Sequence, residues 1–585
     1  MDKDKLMKLL KSNITSPVAL EGLPLSTEQQ QWLGGFLSGI QVQVEELGGF
    51  GKAGGKPITI IYGSQTGNSE AMANEAAAVA KKHGLAPEVL DMSDIELSTL
   101  AKAQRILVVT STYGEGEMPD NAQMLWDDIC AEDAPRFDNS FFSVLALGDT
   151  SYDGFCTAGK EWDARLEALG AERVAPRVDC DVDYEAPSIA WIENVMPIIS
   201  AKGSQEEVAM TKVGSKELAK PKFDRKNPLE ATLLHKKTLT GTNSSKEIVH
   251  YEFSLGDSGE SYAAGDALNI IPQNRPDLID QLLSLFGNTP DDVTMNKLIH
   301  ELEIRIPSKE LIQLVAEKSD DEELKRMVEN GDNEAISDFL WGLDSYQLIK
   351  SYGYKKIGFI DFFNTCKPLS PRAYSISSSI KKHENEVHLT IGSVRYKKED
   401  RVQNGVTSTF LADLVNTGEK VKCYFSPNKQ FKIPQDGDTA TIMVGPGTGI
   451  APFRSFLEER EAEGAKGDNW LFFGDRNAAE DFIYEEEIKS MQESGLLTKL
   501  DLAFSRDQVE KIYVQNKMIE NGQEFFEWLE KGAYFYICGD AYRMAKDVDS
   551  ALHQIIAKHG NMTGDEAANY VTQLKKQKRY VRDVY

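Results

Sequence analysis

The chain has 585 residues, of which 41% are hydrophobic and 27% charged, a composition ordinary for a globular protein of several domains. Its formal net charge of -27 argues against binding to nucleic acid, because such binding needs clustered Lys and Arg to neutralise phosphates. No run of about eighteen apolar residues occurs, and the start of the chain lacks the apolar stretch of a signal peptide, so we expect a cytoplasmic protein without a membrane span.

The cysteines and histidines show no pattern of metal ligands. The six cysteines are scattered, without the close pairs that ligate zinc or an iron-sulfur cluster, so we expect neither metal sites nor disulfides. His383 and His388 lie five positions apart in a predicted hairpin, and no further histidine or cysteine accompanies them. We therefore interpret these two histidines as solvated loop residues and expect no metal in the protein.

Residues 1–55 are predicted to form a helical segment followed by a glycine-rich tether. Trp32, Phe36 and Ile40 recur at helical spacing, which favours a small core or a helix-helix contact. The stretch from Gly48 to Gly55 is typical of a flexible connection. We assign no chemistry to this segment and expect it to mediate self-association.

The first chemical signature lies at residues 58–69. A short apolar strand enters a turn rich in hydroxyl groups and glycine, and an alanine-rich helix follows as far as Lys82. Hydroxyls, backbone N–H groups and the positive end of a helix suit a phosphate, although an ordinary strand-to-helix turn uses the same residue types. The candidate ligands of this loop are Ser64, Gln65, Thr66, Gly67, Asn68 and Ser69.

Two later loops favour the phosphate interpretation, because each places a tyrosine beyond the carboxyl end of a predicted buried strand. In an open parallel sheet the ligand crevice lies at that edge, where Tyr113 and Tyr152 could hold a flat ring between them. The candidate residues of the second loop are Ser111, Thr112, Tyr113 and Gly114, and those of the third are Leu147, Gly148, Asp149, Thr150, Ser151, Tyr152, Asp153, Gly154, Phe155 and Cys156. With three motifs in this order, residues 56–203 resemble a flavodoxin, and the resemblance implies bound FMN.

The residues that follow predict a linker and then a second fold. Residues 204–220 are polar, without an amphipathic face, and are predicted to be a mobile linker. Residues 221–430 show short alternating segments split by Gly, Asn and Ser turns, which is typical of antiparallel β structure. A helical pattern interrupts them between about residues 275 and 365, so we predict a barrel with a helical insert.

The barrel carries candidate groups for a dinucleotide flavin. A guanidinium can bind a pyrophosphate bidentately, a tyrosine can stack on a ring, and a glycine turn before a short helix offers N–H donors. Taken singly, these residues also fit a salt bridge, a core tyrosine and a helix cap. Together, Arg372-x-Tyr374-Ser375 and Gly405-Val-x-Ser408 resemble the FAD-binding motifs of the ferredoxin-NADP reductase family. The resemblance implies FAD contacts from Ser308, Arg372, Ala373, Tyr374, Ser375, Thr390, Ile391, Gly392, Tyr396, Gly405, Val406, Thr407 and Ser408.

Residues 431–585 are predicted to form a nicotinamide-binding domain. An apolar strand enters Gly445-Pro-Gly-Thr-Gly449 and then a helix, the order that admits a dinucleotide. Downstream, two cations, two hydroxyls and an amide within about ten residues suit a ribose 2'-phosphate and favour NADPH over NADH. A solvated loop is the alternative, but Tyr536-Ile-Cys-Gly-Asp540 is a further signature of the same family. The candidate residues are Gly447, Thr448, Ser505, Arg506, Lys511, Ile512, Tyr513, Val514, Gln515 and Asp547.

The chain ends on an aromatic residue, Tyr585, in a segment that in isolation is typical of a frayed tail. Reductases of this family place a terminal aromatic residue over the flavin ring, where nicotinamide must displace it, so the resemblance assigns that role to Tyr585. By the same resemblance Ser375, Cys538 and Asp583 gather near the flavin atom that accepts hydride, where they position groups and manage protons or charge.

The whole chain resembles the diflavin reductases. The implied fold is a multidomain α/β protein: a flavodoxin-like doubly wound domain, an antiparallel β-barrel FAD domain with a helical insert, and a Rossmann-like NADP domain of the ferredoxin-NADP reductase type. The implied activity passes electrons from NADPH to FAD, then to FMN, and then to a partner protein.

Within that family the chain is most similar to the flavoproteins of assimilatory sulfite reductase, through its amino-terminal segment, its Tyr513-Val-Gln515 stretch and its last four residues. The implied partner is the hemoprotein (beta) subunit with siroheme and an iron-sulfur cluster, which reduces sulfite to sulfide for cysteine biosynthesis. Tyr113 departs from that pattern, since sulfite reductase flavoproteins more often carry glutamine there and cytochrome reductases tyrosine. A reductase feeding a heme monooxygenase and a flavin-binding assembly protein without turnover therefore remain alternatives.

Overall fold

The computed structural model describes residues 55–585 apart from 66, 115, 151–153, 204–221, 332 and 399–400. The predicted linker and residues 1–54 therefore lie outside the described residues, as do Thr66, Ser151, Tyr152 and Asp153. Among the helices described, none is long and apolar enough to cross a membrane.

The first domain is a parallel sheet covered by helices. Its strands are β1 (Lys56–Gly63), β2 (Leu85–Asp91), β3 (Arg105–Ser111), β4 (Phe141–Leu147), β5 (Glu172–Arg173) and β6 (Val178–Cys180), and its helices are α1 (Asn68–Lys82), α2 (Leu97–Leu100), α3 (Asp120–Cys130), α4 (Thr157–Ala168) and α5 (Glu185–Ala201). The strand order β2-β1-β3-β4-β5, with β6 beside β4, is that of a doubly wound flavodoxin-like sheet. Ile61 and Val108 share a hydrophobic cluster with α3 and α4, whereas Ile60 and Leu107 share another with α1 and α5. Both faces of the sheet are buried, which explains why its central strands are continuous apolar runs.

The second domain is built on an antiparallel barrel. Its strands are β7 (Leu229–Thr238), β8 (Glu247–Ser254), β9 (Ala267–Ile270), β10 (Leu302–Glu303), β11 (Lys367–Pro368), β12 (Arg372–Ser375), β13 (Glu386–Ser393), β14 (Arg395–Lys398), β15 (Arg401–Asn404) and β16 (Lys420–Ser426). The order β12-β9-β16-β7-β8-β13 forms one sheet, and a bridge between Ile376 and Leu389 links its two outer strands. Tyr251, Phe253 and Leu268 are fully buried in the cluster that fills this barrel.

Helices interrupt the barrel between β9 and β12, as the change in periodicity predicts. They are α6 (Pro276–Phe286), α7 (Asp292–His300), α8 (Lys309–Lys318), α9 (Glu322–Asn330), α10 (Asn333–Leu340), α11 (Ser345–Leu348) and α12 (Phe359–Thr365), and α13 (Val406–Thr409) follows β15. The insert has a hydrophobic cluster of its own, which includes Leu278, Leu282 and Phe362. The insert therefore packs as a separate layer beside the barrel.

The third domain is a second parallel sheet. Its strands are β17 (Thr441–Val444), β18 (Asn469–Asp475), β19 (Lys499–Phe504), β20 (Tyr534–Gly539) and β21 (Tyr580–Val584), and its helices are α14 (Ala451–Glu463), α15 (Ala478–Asp481), α16 (Glu485–Glu493), α17 (Val514–Glu520), α18 (Gly522–Glu530), α19 (Met544–His559) and α20 (Gly564–Lys576). All of its strands are parallel, in the order β19-β18-β17-β20-β21. The order reverses between β17 and β20, and ligands of such sheets bind at that switch point.

Candidate functional site

The first predicted phosphate loop lies between β1 and α1, and the structure describes it apart from Thr66. The Ser64 hydroxyl accepts hydrogen bonds from the N–H groups of Gly67 and Ser69, at 2.9 and 3.3 Å, which turn the chain into the helix. Gly67 has a φ of 85°, a left-handed conformation that favours glycine. The Ser69 hydroxyl is fully buried and has no hydrogen-bond partner among the described residues, so it is available to a ligand. The Gln65 side chain accepts a hydrogen bond from the first N–H of α3 at 3.3 Å and ties the loop to that helix.

The second loop leaves β3 and makes a tight turn. The Ser111 hydroxyl is a second buried group without a partner in the described part of the chain. The Thr112 hydroxyl accepts a hydrogen bond at 3.1 Å from a backbone N–H of α4. The Tyr113 and Glu117 backbones exchange hydrogen bonds of 2.9 and 2.8 Å, and Gly114 between them has a φ of 56°. These hydrogen bonds therefore fix the backbone of Tyr113 at the start of the turn.

The third loop leaves β4, and its described residues on either side of 151–153 are held by contacts within the domain. Thr150 donates from its hydroxyl and its N–H to Asp181, at 2.6 and 3.0 Å. A Cβ at Gly148 would lie 2.9 Å from the backbone N and the Sγ of Cys156, so only glycine fits that position. Burial raises the pKa of Cys156 to about 12, and its thiol stays protonated.

These three loops lie along one edge of the first sheet, because β1, β3 and β4 are neighbouring parallel strands. Hydroxyls without partners at Ser69 and Ser111, and the left-handed glycine before α1, fit a phosphate group at that edge. The predicted second aromatic wall, Tyr152, lies outside the described residues. The described part of the site is consistent with FMN.

The predicted FAD residues lie on neighbouring parts of the barrel. Arg372 is exposed on β12, and its guanidinium has no hydrogen bond or ion pair among the described residues. Tyr374, two residues on, packs partly buried against the barrel cluster. Gly405 begins the turn into α13, and a Cβ there would lie 2.7 Å from the Cβ of Val394. The Thr407 hydroxyl is buried without a partner in the described structure, so this turn offers both N–H and hydroxyl groups to an anion.

Two predicted FAD residues use their hydroxyls within the protein. Ser308 caps α8 by accepting a hydrogen bond from the N–H of Leu311 at 3.0 Å. The Thr390 hydroxyl lies 2.6 Å from that of Tyr484. If Ser308 or Thr390 contacts FAD through its hydroxyl, that hydroxyl oxygen must also keep its present contact, with the Leu311 N–H or with the Tyr484 hydroxyl.

Tyr396 stacks on Trp341 with ring centroids 5.8 Å apart, and its hydroxyl accepts a hydrogen bond from Arg305 at 3.1 Å. Arg305 also lines a cleft beside α13 that the sequence alone did not predict. Arginines from the insert and from the β14–β15 hairpin line this cleft: Arg275, Arg305 and Arg401. These guanidinium donors adjoin the Gly405 turn, and nothing local in the sequence marks them, because packing of the insert brings them together.

The predicted dinucleotide turn lies between β17 and α14. Gly449 packs so closely on β20 that a Cβ there would lie 2.2 Å from the carbonyl oxygen of Cys538. Gly447 has a φ of 59°, which also favours glycine. The turn therefore lies at the switch point of the third sheet, at the amino end of α14, where a dinucleotide pyrophosphate fits.

The predicted 2'-phosphate residues lie in the loop after β19. The N–H groups of Ser505 and Arg506 donate to carbonyls at the end of β18, each at 2.8 Å, so the backbone of this loop is anchored. The Arg506 and Lys511 side chains are exposed, and neither has an ion pair among the described residues. Two unpaired cations on an anchored loop suit a phosphate that projects from a ribose.

The residues that follow have mixed surroundings. Tyr513 is exposed, whereas Ile512 and Val514 pack their side chains into the domain core and offer a ligand only their backbone. The Gln515 amide donates to Asp547 at 3.0 Å. This hydrogen bond brings together two residues that are 32 positions apart in the chain.

Three of the predicted catalytic residues meet. The Ser375 hydroxyl donates to Asp583 Oδ2 at 2.7 Å, and the Cys538 thiol lies 3.9 Å from the same oxygen. Desolvation raises the pKa of Asp583 above its usual range, although the Ser375 hydrogen bond opposes this shift. Burial also raises the pKa of the Cys538 thiol well above its usual value, so it stays protonated. The group can hold a proton but offers no thiolate nucleophile.

The end of the chain is held in place. β21 pairs with β20, with Cys538 opposite Asp583. The Tyr585 N–H donates to the carbonyl of Gly539 at 3.0 Å, and its hydroxyl lies 2.8 Å from that of Thr448. The residue is nevertheless 59% exposed. Tyr585 is therefore an anchored residue with an accessible ring rather than a frayed tail.

The flavodoxin-like domain contacts this same end. The Tyr113 hydroxyl donates to the carbonyl of Val584, and Arg582 forms an ion pair with Asp120. A second ion pair joins Lys429, beyond the barrel, to Glu70 in α1. No local pattern in the sequence reveals these contacts. They place Tyr113 of the second loop beside the strand end that carries Asp583 and Tyr585.

The interpretation of His383 and His388 as solvated loop residues is wrong for His388 and holds only in part for His383, which lies in the loop before β13. His388 lies on β13 and is only 2% exposed, and His383 is half-buried with its Nε2 3.0 Å from Glu458 Oε1. Burial lowers the pKa of His388 to about 2, and that of His250, on the neighbouring strand β8, to about 3. Both imidazoles are neutral. Their positions depend on strand pairing, which the spacing of the two residues in the sequence does not reveal.

Three family models match separate parts of the chain: flavodoxin over residues 60–191, a FAD binding domain over 221–308 and 294–410, and an oxidoreductase NAD-binding domain over 443–550. Proteins named sulfite reductase (NADPH) flavoprotein alpha-component are similar over nearly the whole chain. The one from Bacillus subtilis strain 168 is 41% identical and covers 96% of this chain and 96% of its own length. Those from Vibrio parahaemolyticus and Shewanella sp. strain ANA-3 are each 39% identical over 96% of this chain, and cover 93% and 96% of their own lengths.

Proposed function

The chain belongs to the family of sulfite reductase (NADPH) flavoprotein alpha-components, and on that premise we propose that it delivers electrons from NADPH to the hemoprotein (beta) subunit of an assimilatory sulfite reductase. Its flavodoxin, FAD-binding and NAD-binding domains match FMN, FAD and NADPH. When bound, NADPH supplies a hydride to FAD, and FMN passes the electrons on singly.

One observation carries this proposal: the last three residues of the chain each touch a different predicted site. Asp583 accepts a hydrogen bond from Ser375 in the FAD motif. Val584 accepts one from Tyr113 in the second FMN loop. The Tyr585 hydroxyl contacts Thr448 in the dinucleotide turn. Residues of the three predicted sites thus meet at one strand end, and this supports the proposal because electron transfer between cofactors needs short distances.

The residues of this chain hold and orient the reacting groups. We propose that Arg506 and Lys511 bind the 2'-phosphate of NADPH, while the turn at Gly447 receives its pyrophosphate. Tyr585 covers the FAD ring until nicotinamide displaces it. Asp583, whose pKa is raised, keeps a proton to a higher pH than an exposed aspartate does and manages the charge that develops near the flavin.

The partner protein and the cellular location also belong to this proposal. The proposed partner is the siroheme and iron-sulfur subunit, and the flavodoxin-like domain would deliver electrons to it, because that domain carries the last site in the sequence of transfers. We further propose that the protein acts in the cytoplasm and that residues 1–55 mediate its self-association.

The test is a coupled assay with the purified chain, NADPH, sulfite and a purified siroheme subunit. We expect sulfide to form and NADPH to be consumed in the ratio that sulfite reduction requires. The control without the siroheme subunit should reduce ferricyanide but form no sulfide. Electron delivery to a heme monooxygenase but not to the siroheme subunit would favour the alternative partner, and no NADPH oxidation with either acceptor would favour an assembly role.

A further inference from the structure

A group of histidines and carboxylates lies on one face of the barrel. β8 and β13 are antiparallel neighbours, and their register pairs Glu252 with His388 and His250 with Thr390. Residues two apart on a strand point to the same face, so the side chains of His250, Glu252, Glu386 and His388 share one face. We call His250, Glu252, His383, Glu386 and His388 the histidine-carboxylate cluster.

The spacing of the cluster suits a metal ion. His250 Nε2 lies 3.2 Å from Glu252 Oε1, and the donor atoms of His250, Glu252 and His388 all lie within 4.8 Å of one another. Two donors bound to one tetrahedral zinc at about 2.0 Å are themselves about 3.3 Å apart. The ring centroids of His250 and His388 are 5.1 Å apart, so only small side-chain movements would bring their nitrogens to one ion.

The burial and the hydrogen bonds of His250 and His388 suit metal ligands. His250 and His388 are 7% and 2% exposed, and the Nδ1 of His388 is buried without a hydrogen-bond partner in the described part of the chain. His250 Nδ1 lies 2.7 Å from the Tyr484 hydroxyl, which leaves Nε2 directed towards Glu252. Metal-bound histidines are commonly oriented in this way, through a hydrogen bond to the ring nitrogen that does not bind the metal.

Carboxylates lie within the cluster and beside it. Glu252 and Glu386 belong to it, and Glu458 of α14 lies beside His383. The buried cation Arg454 is paired with Glu458 at 2.9 Å and with Glu487 at 2.7 Å, so carboxylates offset its charge. Imidazole and carboxylate donors together match the preferences of zinc.

We propose that the chain binds one zinc ion through His250, Glu252 and His388. A second trio, His383, Glu386 and His388, shares His388 but includes only one deeply buried imidazole. The proposed ion would join strands β8 and β13 on the face where Tyr484 and α14 pack, and so stabilise the contact between the barrel and the third domain. The three proposed ligands are not predicted flavin contacts, although Tyr484, which contacts His250, also contacts the predicted FAD residue Thr390. The zinc proposal does not depend on the proposed function.

The test uses the full-length chain without a histidine tag, because a tag would bind zinc itself. Metal is removed with a chelator, and the protein is then titrated with zinc sulfate in competition with a chromophoric chelator. We expect one equivalent of tightly bound zinc, confirmed by elemental analysis after dialysis. Cobalt in place of zinc should give the visible absorption of a tetrahedral site.

Substitutions assign the ligands. His250→Gln and His388→Gln should each weaken zinc binding about a hundredfold or more, since even the loss of an outer hydrogen-bond partner costs about 10- to 100-fold. His383→Gln should change affinity less than about tenfold. His235→Gln, at an exposed position on β7, is the matched control and should bind zinc like the unchanged chain.

Flavin absorbance and thermal unfolding would show whether each variant folds. If His388→Gln does not fold, the Glu252→Gln variant replaces it, because Glu252 is less buried and its loss should weaken binding to a similar extent. Absence of stoichiometric zinc binding by the unchanged chain would overturn the proposal. Binding that survives in His250→Gln but is lost in His383→Gln would overturn the assigned ligands.

Discussion

Arg506→Ala is expected to raise the KM for NADPH about ten- to a hundredfold, because one charged hydrogen bond to the 2'-phosphate contributes about 1.5 to 3 kcal/mol. The Arg506 side chain is exposed and has no ion pair among the described residues, while its backbone is anchored to β18. Removal of the side chain should therefore leave the loop in place. The KM for NADH should change little, since NADH has no 2'-phosphate to lose a contact with.

Steady-state kinetics with ferricyanide as acceptor measures both constants on the same preparation. Arg326→Ala is a matched control, because Arg326 is an exposed arginine on α9 of the insert, far along the chain from the proposed coenzyme loop. It should leave both constants unchanged. Equal increases in the two KM values for Arg506→Ala would place the 2'-phosphate elsewhere.

Deletion of Tyr585 is expected to raise kcat/KM for NADH about two- to tenfold and so to relax coenzyme choice. Aromatic stacking is worth about 0.5 to 1.5 kcal/mol, and in the intact chain nicotinamide must overcome it to reach the flavin. NADPH has its 2'-phosphate contacts to offset that cost, but NADH does not. The exposed Tyr585 ring, held by the backbone pairing of β21 and the Thr448 contact, has the anchoring that such a cover needs.

Tyr585→Phe is the control for the deletion. It keeps the ring but removes the hydroxyl that contacts Thr448, so coenzyme preference should remain close to that of the unchanged chain if stacking is what opposes nicotinamide. An unchanged preference and an unchanged flavin spectrum in the deletion variant would instead remove Tyr585 from the site.

The loops assigned to the two flavins and to the nicotinamide coenzyme could be predicted because their chemistry is local. The Ser64 turn, the Gly405 turn and the Gly449 turn each combine strand, glycine and helix within a few residues, and the structure gives each a physical need for glycine or a hydroxyl. Strand order in the first sheet then brings its three loops to one edge. In these places short-range patterns were sufficient.

The features that escaped prediction all depend on pairing between distant residues. Without the resemblance, the chain end was typical of a frayed tail, yet register with β20 sets Asp583 opposite Cys538 and within reach of Ser375. The interpretation of His388 as a solvated loop residue was wrong for the same reason, since only the β8–β13 register places His388 opposite Glu252. A periodic pattern indicates that a strand exists but does not specify its partner.

We propose that this chain holds two different flavins in separate sites, and that these flavins connect NADPH to a partner protein. Acid release of the flavins from the purified protein, followed by chromatography, tests it most directly. We expect a yellow protein that yields FMN and FAD in equal amounts, one of each for every chain. A single type of flavin at stoichiometric level would contradict it.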